Sequence, residues 1–307
     1  MKIIDNLDNL HIQEKTAVAI GKFDGVHLGH RALIDELKMA KEKQGLATVV
    51  FTFSPSPAEF FGLSDNKQIM TGEEKRYILS KLGIDYLIEF PFNKETAATE
   101  PDVFVSDILV GKLSSVFIVA GDDLSFGKKG QGNIKTLQDN KSKYGFEVKE
   151  IGKICLDGEV ISSTEIRRLI SINDIDRASQ MLGSAYFIKG PIISGNRIGR
   201  TIGFPTINVA IDEKKVLPRF GVYFSEVEID GEKHYGISNI GVKPTIEGEN
   251  AVSIETYIYD FDKDVYGKDA IVSLVAFRRK EQKFDGIDAL KNQLDSDIAA
   301  GREYFHI

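Results

Sequence analysis

The segment Gly21-Lys22-Phe23-Asp24-Gly25-Val26-His27-Leu28-Gly29-His30 brings three glycines and two histidines into ten residues, between an apolar run and an amphipathic one. Glycine lets a backbone approach a phosphate closely, and the free amides and dipole at a helix start favour negative charge. His27 and His30, three residues apart, can leave a first helical turn on the same side. That combination suits work on a phosphorus group, and the competing reading is that the two histidines only cap a helix. A second candidate is Ile161-Ser162-Ser163-Thr164-Glu165-Ile166-Arg167-Arg168. It sets hydroxyls ahead of a helix and arginines in its first turns, where they can meet a triphosphate or simply face solvent.

Further along, Gly195-Asn196-Arg197-Ile198-Gly199-Arg200-Thr201-Ile202-Gly203-Phe204-Pro205-Thr206-Ile207-Asn208 places three glycines ahead of a proline and two small oxygen-bearing side chains. It is not a P-loop: the glycine spacing is one residue short, Arg200 stands where lysine is expected, and no helix follows. A phosphate-facing loop and a glycine-rich barrel corner both remain open. Glu255, in Ser253-Ile254-Glu255-Thr256-Tyr257-Ile258-Tyr259, is chemically able to accept a proton, although a lone strand glutamate is most often an exposed polar partner.

The elements that must position these groups follow two patterns. In the first half, short apolar runs alternate with helical spacing: strands at Thr16 to Gly21, Leu46 to Phe53, Asp85 to Phe90, Ser115 to Ala120 and Phe146 to Ile151, and helices at His30 to Gln44, Glu73 to Leu82 and Pro101 to Lys112. The first of these helices has its apolar face at Leu33, Ile34 and Leu37, with the stem of Lys41. Strands separated by helices imply a parallel sheet covered on both faces. After a helix-forming stretch at Ser163 to Leu182 the pattern becomes strand upon strand: Tyr186 to Ile193, Thr206 to Ala210, Val222 to Ile229, His234 to Asn239, Ser253 to Tyr259 and Ala270 to Phe277. Asp230-Gly231 marks a tight hairpin, and Gly286 to Tyr304 returns to helical spacing. The expectation is an α/β chain with a Rossmann-like domain at 1–184 and a small antiparallel β-barrel closed by a C-terminal helix at 185–307.

With 307 residues and 42% hydrophobic content the chain can bury two cores. A formal net charge of −7 argues against a general nucleic-acid binder, and no helix-turn-helix is apparent, which speaks against a nucleic-acid-binding regulator. The single cysteine, Cys155, leaves neither an intrachain disulfide framework nor a cysteine-rich zinc site. No run is long enough to span a bilayer, so the expected location is the cytoplasm, without membrane or nucleic-acid partners.

The first two motifs together resemble the nucleotidyltransferase superfamily, with its histidine-x-glycine-histidine element, and within it the FMN adenylyltransferase family. Phe53-Ser54-Pro55-Ser56-Pro57 is similar to that family's segment after the second strand, and Gly121-Asp122-Asp123-Leu124-Ser125-Phe126-Gly127 to its glycine-acidic loop, with Leu124 where phenylalanine is usual and Lys22 a further departure. The resemblance implies that the FMN phosphate attacks the α-phosphorus of ATP and pyrophosphate leaves. His27 and His30 would be catalytic, Gly21, Phe23, Asp24, Gly25, Gly29, Ser162, Ser163, Thr164 and Arg167 would hold ATP, and Phe53, Pro55, Asp123 and Phe126 would meet FMN.

The third motif resembles the riboflavin kinase family, as does Gly241-Val242-Lys243-Pro244-Thr245. This implies that Gly195, Gly199, Gly203, Pro205, Thr206 and Asn208 bind ATP, that Thr206 and Asn208 supply oxygens to Mg2+, and that Glu255 takes the proton of the ribityl hydroxyl. Tyr257 stands where the family often has histidine, and Arg278 and Arg279 fall in its flavin-side loop. Riboflavin, FMN and ATP would be the small-molecule substrates and FAD the final product. A different adenylyl- or cytidylyltransferase with a flavin-binding barrel is the rival enzyme reading.

Overall fold

The computed structural model describes residues 1–63, 67–194, 203–244 and 250–307. Two compact units emerge, Met1–Ser163 and Thr164–Ile307.

In the first, strands β1 (Lys2–Ile4), β2 (Thr16–Ile20), β3 (Ala47–Ser54), β4 (Tyr86–Pro91), β5 (Ser115–Gly121) and β6 (Glu147–Ile151) form a parallel sheet in the order β1-β4-β3-β2-β5-β6. The helices are α1 (Leu28–Gln44), α2 (Pro57–Phe60), α3 (Gly72–Lys81), α4 (Pro101–Val103, running on as a wide π-helical segment Phe104–Lys112) and α5 (Ile134–Tyr144). Because β2 pairs with β3 on one side and β5 on the other, strand order reverses at its carboxyl end, where open α/β sheets place ligands. The histidine segment leaves β2 at that point. β2 is buried at every position, and Val18, Ile20, Val49, Phe51, Ile88 and Ile118 share its core.

Helix α1 begins two residues before the expected His30, because the His27 ring accepts a hydrogen bond from the His30 amide and so acts as the cap. It buries Leu33, Ile34, Leu37 and Ala40 and stops at Gly45, whose φ of 68° supplies the left-handed stop. Three differences from the sequence reading have local causes. Phe104–Lys112 is wound wider than an α-helix, with the Leu113 amide reaching back to the Ile108 carbonyl. Helix α5 carries no legible stripe, because Leu137 is its one buried residue and its cues are an Asn133–Thr136 capping box and Gly145. Ser163 to Leu182 is two helices, α6 (Ser163–Ile172) and α7 (Ile175–Leu182), broken where Asn173 turns to φ 71° and Asp174 caps the next helix.

In the second unit, β9 (Tyr186–Ile193), β10 (Thr206–Ala210), β11 (Gly221–Ile229), β12 (Glu232–Pro244), β13 (Asn250–Ile258) and β14 (Asp269–Lys280) close an antiparallel barrel in the order β10-β13-β12-β11-β14-β9; the short hairpin β7 (Cys155–Leu156) and β8 (Glu159–Val160) belongs to the first unit. Asp230 (φ 53°) and Gly231 (φ 82°) make the two-residue turn between β11 and β12, both in the left-handed region that such hairpins require. Alternate residues along the strands, Tyr223, Ser225 and Val227, Ser238 and Ile240, Ile254 and Thr256, are wholly buried. Among them Ser225, Ser238 and Thr256 satisfy one another through hydroxyl contacts of 2.6 and 2.7 Å. On the other face, Val222, Phe224, Ile237 and Tyr259 pack against Ile298, Ala300 and Phe305 of the closing helix α8 (Ile287–Phe305).

Candidate active sites

The loop from Gly21 into α1 is held under strain. Phe23 (φ 51°) and Val26 (φ 41°) both adopt left-handed backbone, at a cost of order 1–3 kcal/mol each, and both are fully buried. Burial of those side chains offsets the strain. The His27 and His30 rings stack with centroids 3.8 Å apart, and Phe23 closes on His30 at 4.9 Å. Gly29 lies close under this stack: a Cβ there would be 3.1 Å from the His27 ring, near enough to make the ring shift by a few tenths of an ångström. Burial pushes the His27 imidazole down to about 4, against the opposing pull of Asp123. His30 is pushed well below the ordinary histidine value by burial first, then by His27 and Lys75, and its Nδ1 has no hydrogen-bond partner among the described residues. At neutral pH both rings are neutral, so each can offer a hydrogen bond but no net charge.

The other residues read as nucleotide-binding take up several positions. The Asp24 carboxylate accepts from the Ile69 and Met70 amides at 2.9 and 3.2 Å, and the Asp24 carbonyl accepts from the Ser163 hydroxyl at 2.9 Å. Asp24 is thus a clamp that ties the loop to the segment entering α3. Gly21 packs over the Phe23 ring, Gly25 adopts φ 88°, and the Lys22 side chain is exposed while its carbonyl accepts from Thr52. Ser162 is half-buried, Thr164 is exposed, and Arg168 pairs with Glu165 at 2.6 Å. Thr164 and Arg167 fall in the second compact unit.

Of the residues read as flavin-facing, Phe53 is half-buried within an aromatic group that includes Phe92 at 5.5 Å, and Phe92 in turn meets Phe60 and Phe61. Phe61 is 58% exposed, leaving an open aromatic edge beside the exposed Pro55. Asp123 is exposed. Phe126, by contrast, is buried in the sheet core against Phe104 at 5.2 Å, and Leu124 packs on that same core. Lys75 escaped the sequence reading. Its Nζ donates to the Lys22 carbonyl at 3.3 Å, a juxtaposition created by the Asp24 clamp and invisible in the spacing of α3.

The barrel site is built by strand register. β10 and β13 pair Asn208 with Glu255, and β12 places Asn239 on the other side of the same glutamate. The Thr206 hydroxyl donates to Glu255 Oε1 at 2.7 Å, and Asn208 is buried beside them. A cleft of about 450 Å³ runs from Gly203, Pro205, Thr206 and Asn208 to an end where Phe261, Val265 and Tyr266 stand with the charged Asp262, Lys263 and Asp264. Glu255 is not among its lining residues, so the cleft lies to one side of the carboxylate. Tyr257 packs edge-on against Phe204, which supports the segment leading to Thr206. Gly195 and Gly199 lie outside the described residues, as does Thr245. Asn239 had no distinguishing sequence signal.

Arg278 and Arg279 sit at the end of β14, and both face Asp297 of α8. Arg279 holds that buried carboxylate at 2.7 Å, so it fastens the closing helix to the barrel. Among the described residues no group of three or more His, Cys, Asp or Glu could hold a metal ion, and no helix is long and apolar enough to cross a membrane. The hydroxyl, amide and carboxylate oxygens of Thr206, Asn208 and Glu255 do form a hard donor set of the kind magnesium takes up in company with phosphate and water.

Comparison with known proteins agrees with this division. A family model described as FAD synthetase matches residues 9–165, and one described as riboflavin kinase matches 182–305. A curated relative from Listeria monocytogenes, named bifunctional riboflavin kinase/FMN adenylyltransferase, is 39% identical, with 94% of this chain and 92% of the relative covered. One of the same name from Haemophilus influenzae is 36% identical over 100% of both chains. A crystal structure from Streptococcus pneumoniae, named as a macrolide-efflux protein, superposes with a TM-score of 0.84 at 29% identity, covering 98% of each chain.

Proposed function

Because the chain belongs to the bifunctional riboflavin kinase/FMN adenylyltransferase family, we propose that its two sites divide the work, the barrel making FMN and the histidine loop converting FMN to FAD. The chain phosphorylates riboflavin with ATP and adenylylates the resulting FMN with a second ATP, releasing pyrophosphate. What carries the placement of the first step is the convergence of Thr206, Asn208 and Glu255 from paired strands beside a nucleotide-sized cleft.

At the barrel, Glu255 accepts the proton of the ribityl 5′-hydroxyl as that oxygen attacks the γ-phosphorus. Thr206 orients the carboxylate, and Asn208 supplies an amide oxygen beside it. The end of the cleft at Phe261, Val265 and Tyr266 receives the base of ATP, Gly203 and Pro205 line its phosphate side, and Gly195 and Gly199 belong to the same ATP-binding segment of the sequence. Thr206 and Asn208 are the residues that would hold Mg2+ together with the phosphates, and the ion would supply neutralisation of the transferring group's charge. Arg278 and Arg279 act on the flavin side by fixing α8.

At the loop, His27 and His30 hydrogen-bond the phosphate oxygens as neutral imidazoles, the backbone of Gly21, Phe23, Gly25 and Gly29 lies along the triphosphate, and Asp24 keeps the loop in place. Ser162, Ser163, Thr164 and Arg167 complete the ATP side. Phe53, Pro55 and Asp123 border the FMN, with Phe126 as a buried support. We place the functional boundary at 184/185, counting the α6 and α7 segments with the adenylyltransferase. A cytoplasmic location, with ATP at hand and a single cysteine kept reduced, fits this chemistry.

An efflux role of the kind the Streptococcus pneumoniae protein is named for has no support among the described residues, since none of their helices could span a bilayer. Incubating the protein with riboflavin, ATP and Mg2+ and separating the flavins tests the reading: FMN and then FAD are expected, both abolished by EDTA, and a protein yielding no phosphorylated flavin contradicts it.

A further inference from the structure

We propose that Lys75 is a cation of the adenylyltransferase site, placed to neutralise charge on the phosphates of ATP as FMN adds to it. The inference rests on the adenylyltransferase reading above. In that step an FMN phosphate oxygen forms a bond to the α-phosphorus, the bond from that phosphorus to the bridging oxygen breaks, and its electron pair leaves on pyrophosphate. Negative charge therefore builds on the α-phosphoryl oxygens and the leaving group, and a fixed cation there lowers the barrier.

Three observations lead to Lys75. First, the Asp24 carboxylate draws the Ile69 and Met70 amides to the loop, and Thr71 then starts α3 through a capping box with Glu74. The helix start is thereby fixed against the histidine loop, and Lys75, one turn in, reaches the Lys22 carbonyl at 3.3 Å. Among the described residues that is the ammonium's one hydrogen bond, and an ammonium has three donors to give. Second, two neighbouring cations are otherwise engaged: Arg76 is paired with Glu89, and Arg31 Nε donates to the Val26 carbonyl at 3.3 Å. Third, the two histidines are neutral at the pH of the reaction, so positive charge at the loop itself comes from lysine or arginine rather than from the imidazoles. Burial disfavours the Lys75 ammonium, while Asp24, Glu89 and Glu59 favour it and Arg76 opposes it.

The test uses the full chain with Lys75→Met and Lys75→Arg, FMN and ATP as substrates, kcat/KM for FAD formation across pH, and riboflavin phosphorylation as a control on the other unit. Lys75→Met should lower kcat/KM about 100-fold, and Lys75→Arg should recover about tenfold of that loss. In the methionine variant the acid limb of the pH profile should also move to higher pH. Losing the lysine charge raises the affinity of His30 for a proton, His27 and Phe23 being its other close neighbours. A methionine variant within about threefold of the parent overturns the role of Lys75, as do equal losses in both variants with an unchanged pH profile, the signature of a merely structural residue. If Lys75→Met does not fold, the arginine variant and its pH profile decide alone. A parent that makes no FAD overturns the underlying reading instead.

Discussion

The histidine loop and the outer face of the barrel, the two proposed sites of phosphorus chemistry, are built in opposite ways. The loop relies on two strained non-glycine residues, Phe23 and Val26, and on burying its imidazoles until they are neutral. On the barrel face the residues are held by regular strand register, with Asn208, Glu255 and Asn239 side by side, and the charged groups nearby are paired across elements. One site is set by a loop that the core forces into shape, the other by alignment that any well-formed hairpin would give. Damage should therefore spread differently: loosening the barrel costs stability first, whereas disturbing the loop costs rate first.

The largest expected effect is on the barrel side. Asp297→Ala leaves Arg279 without its buried partner and should destabilise the second unit by about 3 kcal/mol, the lower end of the range for a broken buried pair because the arginine retains some exposure. Thermal unfolding would register it, and a change below about 1 kcal/mol would mean that α8 is held by its apolar contacts alone. Next, Gly301→Ala would bring a Cβ to 2.2 Å from Tyr259 Oη, which donates to the Ile298 carbonyl. A loss of about 2 kcal/mol is expected, largely restored by Tyr259→Phe in the double variant.

On the loop side the effect should fall on turnover. Ala is a better helix former than Gly by about 1 kcal/mol, so Gly29→Ala should leave stability unchanged or slightly raised, yet displace the His27 ring. FAD formation should drop about tenfold, roughly the rate cost of a catalytic group moved by a few tenths of an ångström, with FMN formation untouched. Equal activity in both assays would show that the stacked histidines tolerate displacement.

The last effect is negligible at neutral pH and develops only on acidification. The folded-state affinity of His27 for a proton is lowered to about 4 from an unfolded value near 6.5, so the unfolded chain binds the extra proton first on acidification. Stability is complete above about 6.5 and declines as pH falls toward 4, by up to about 1.4 kcal/mol per pH unit for this group. His27→Asn should flatten that slope, and an NMR titration of the ring should find its midpoint below 5.

These contrasts also explain what could be read from the residues alone. Strands such as Tyr186–Ile193 and Thr206–Ala210 were legible to the residue because they are dense in β-branched and aromatic side chains between clear breaks. Helix α5 was not, since a helix with one buried residue has no stripe to find. Within the sites, Thr206 and Glu255 stand 49 residues apart, and only strand pairing joins them. Lys75 and Asp297 are the hardest cases. Each acquires its role from a partner brought by tertiary structure, Lys22 through the Asp24 clamp and Arg279 through the docking of α8. Phe126 illustrates the converse: its motif suggested a ligand contact, and the ring lies in the core.

The most direct test of two separable sites is flavin chromatography after supplying either riboflavin or FMN, with ATP and Mg2+, to the parent, to Glu255→Gln and to the His27→Ala, His30→Ala double variant. The account predicts both conversions in the parent, loss of FMN formation with FAD formation retained in the glutamate variant, and the reverse in the histidine variant. If either variant loses both conversions while remaining folded, or retains both, the division of labour between loop and barrel is contradicted.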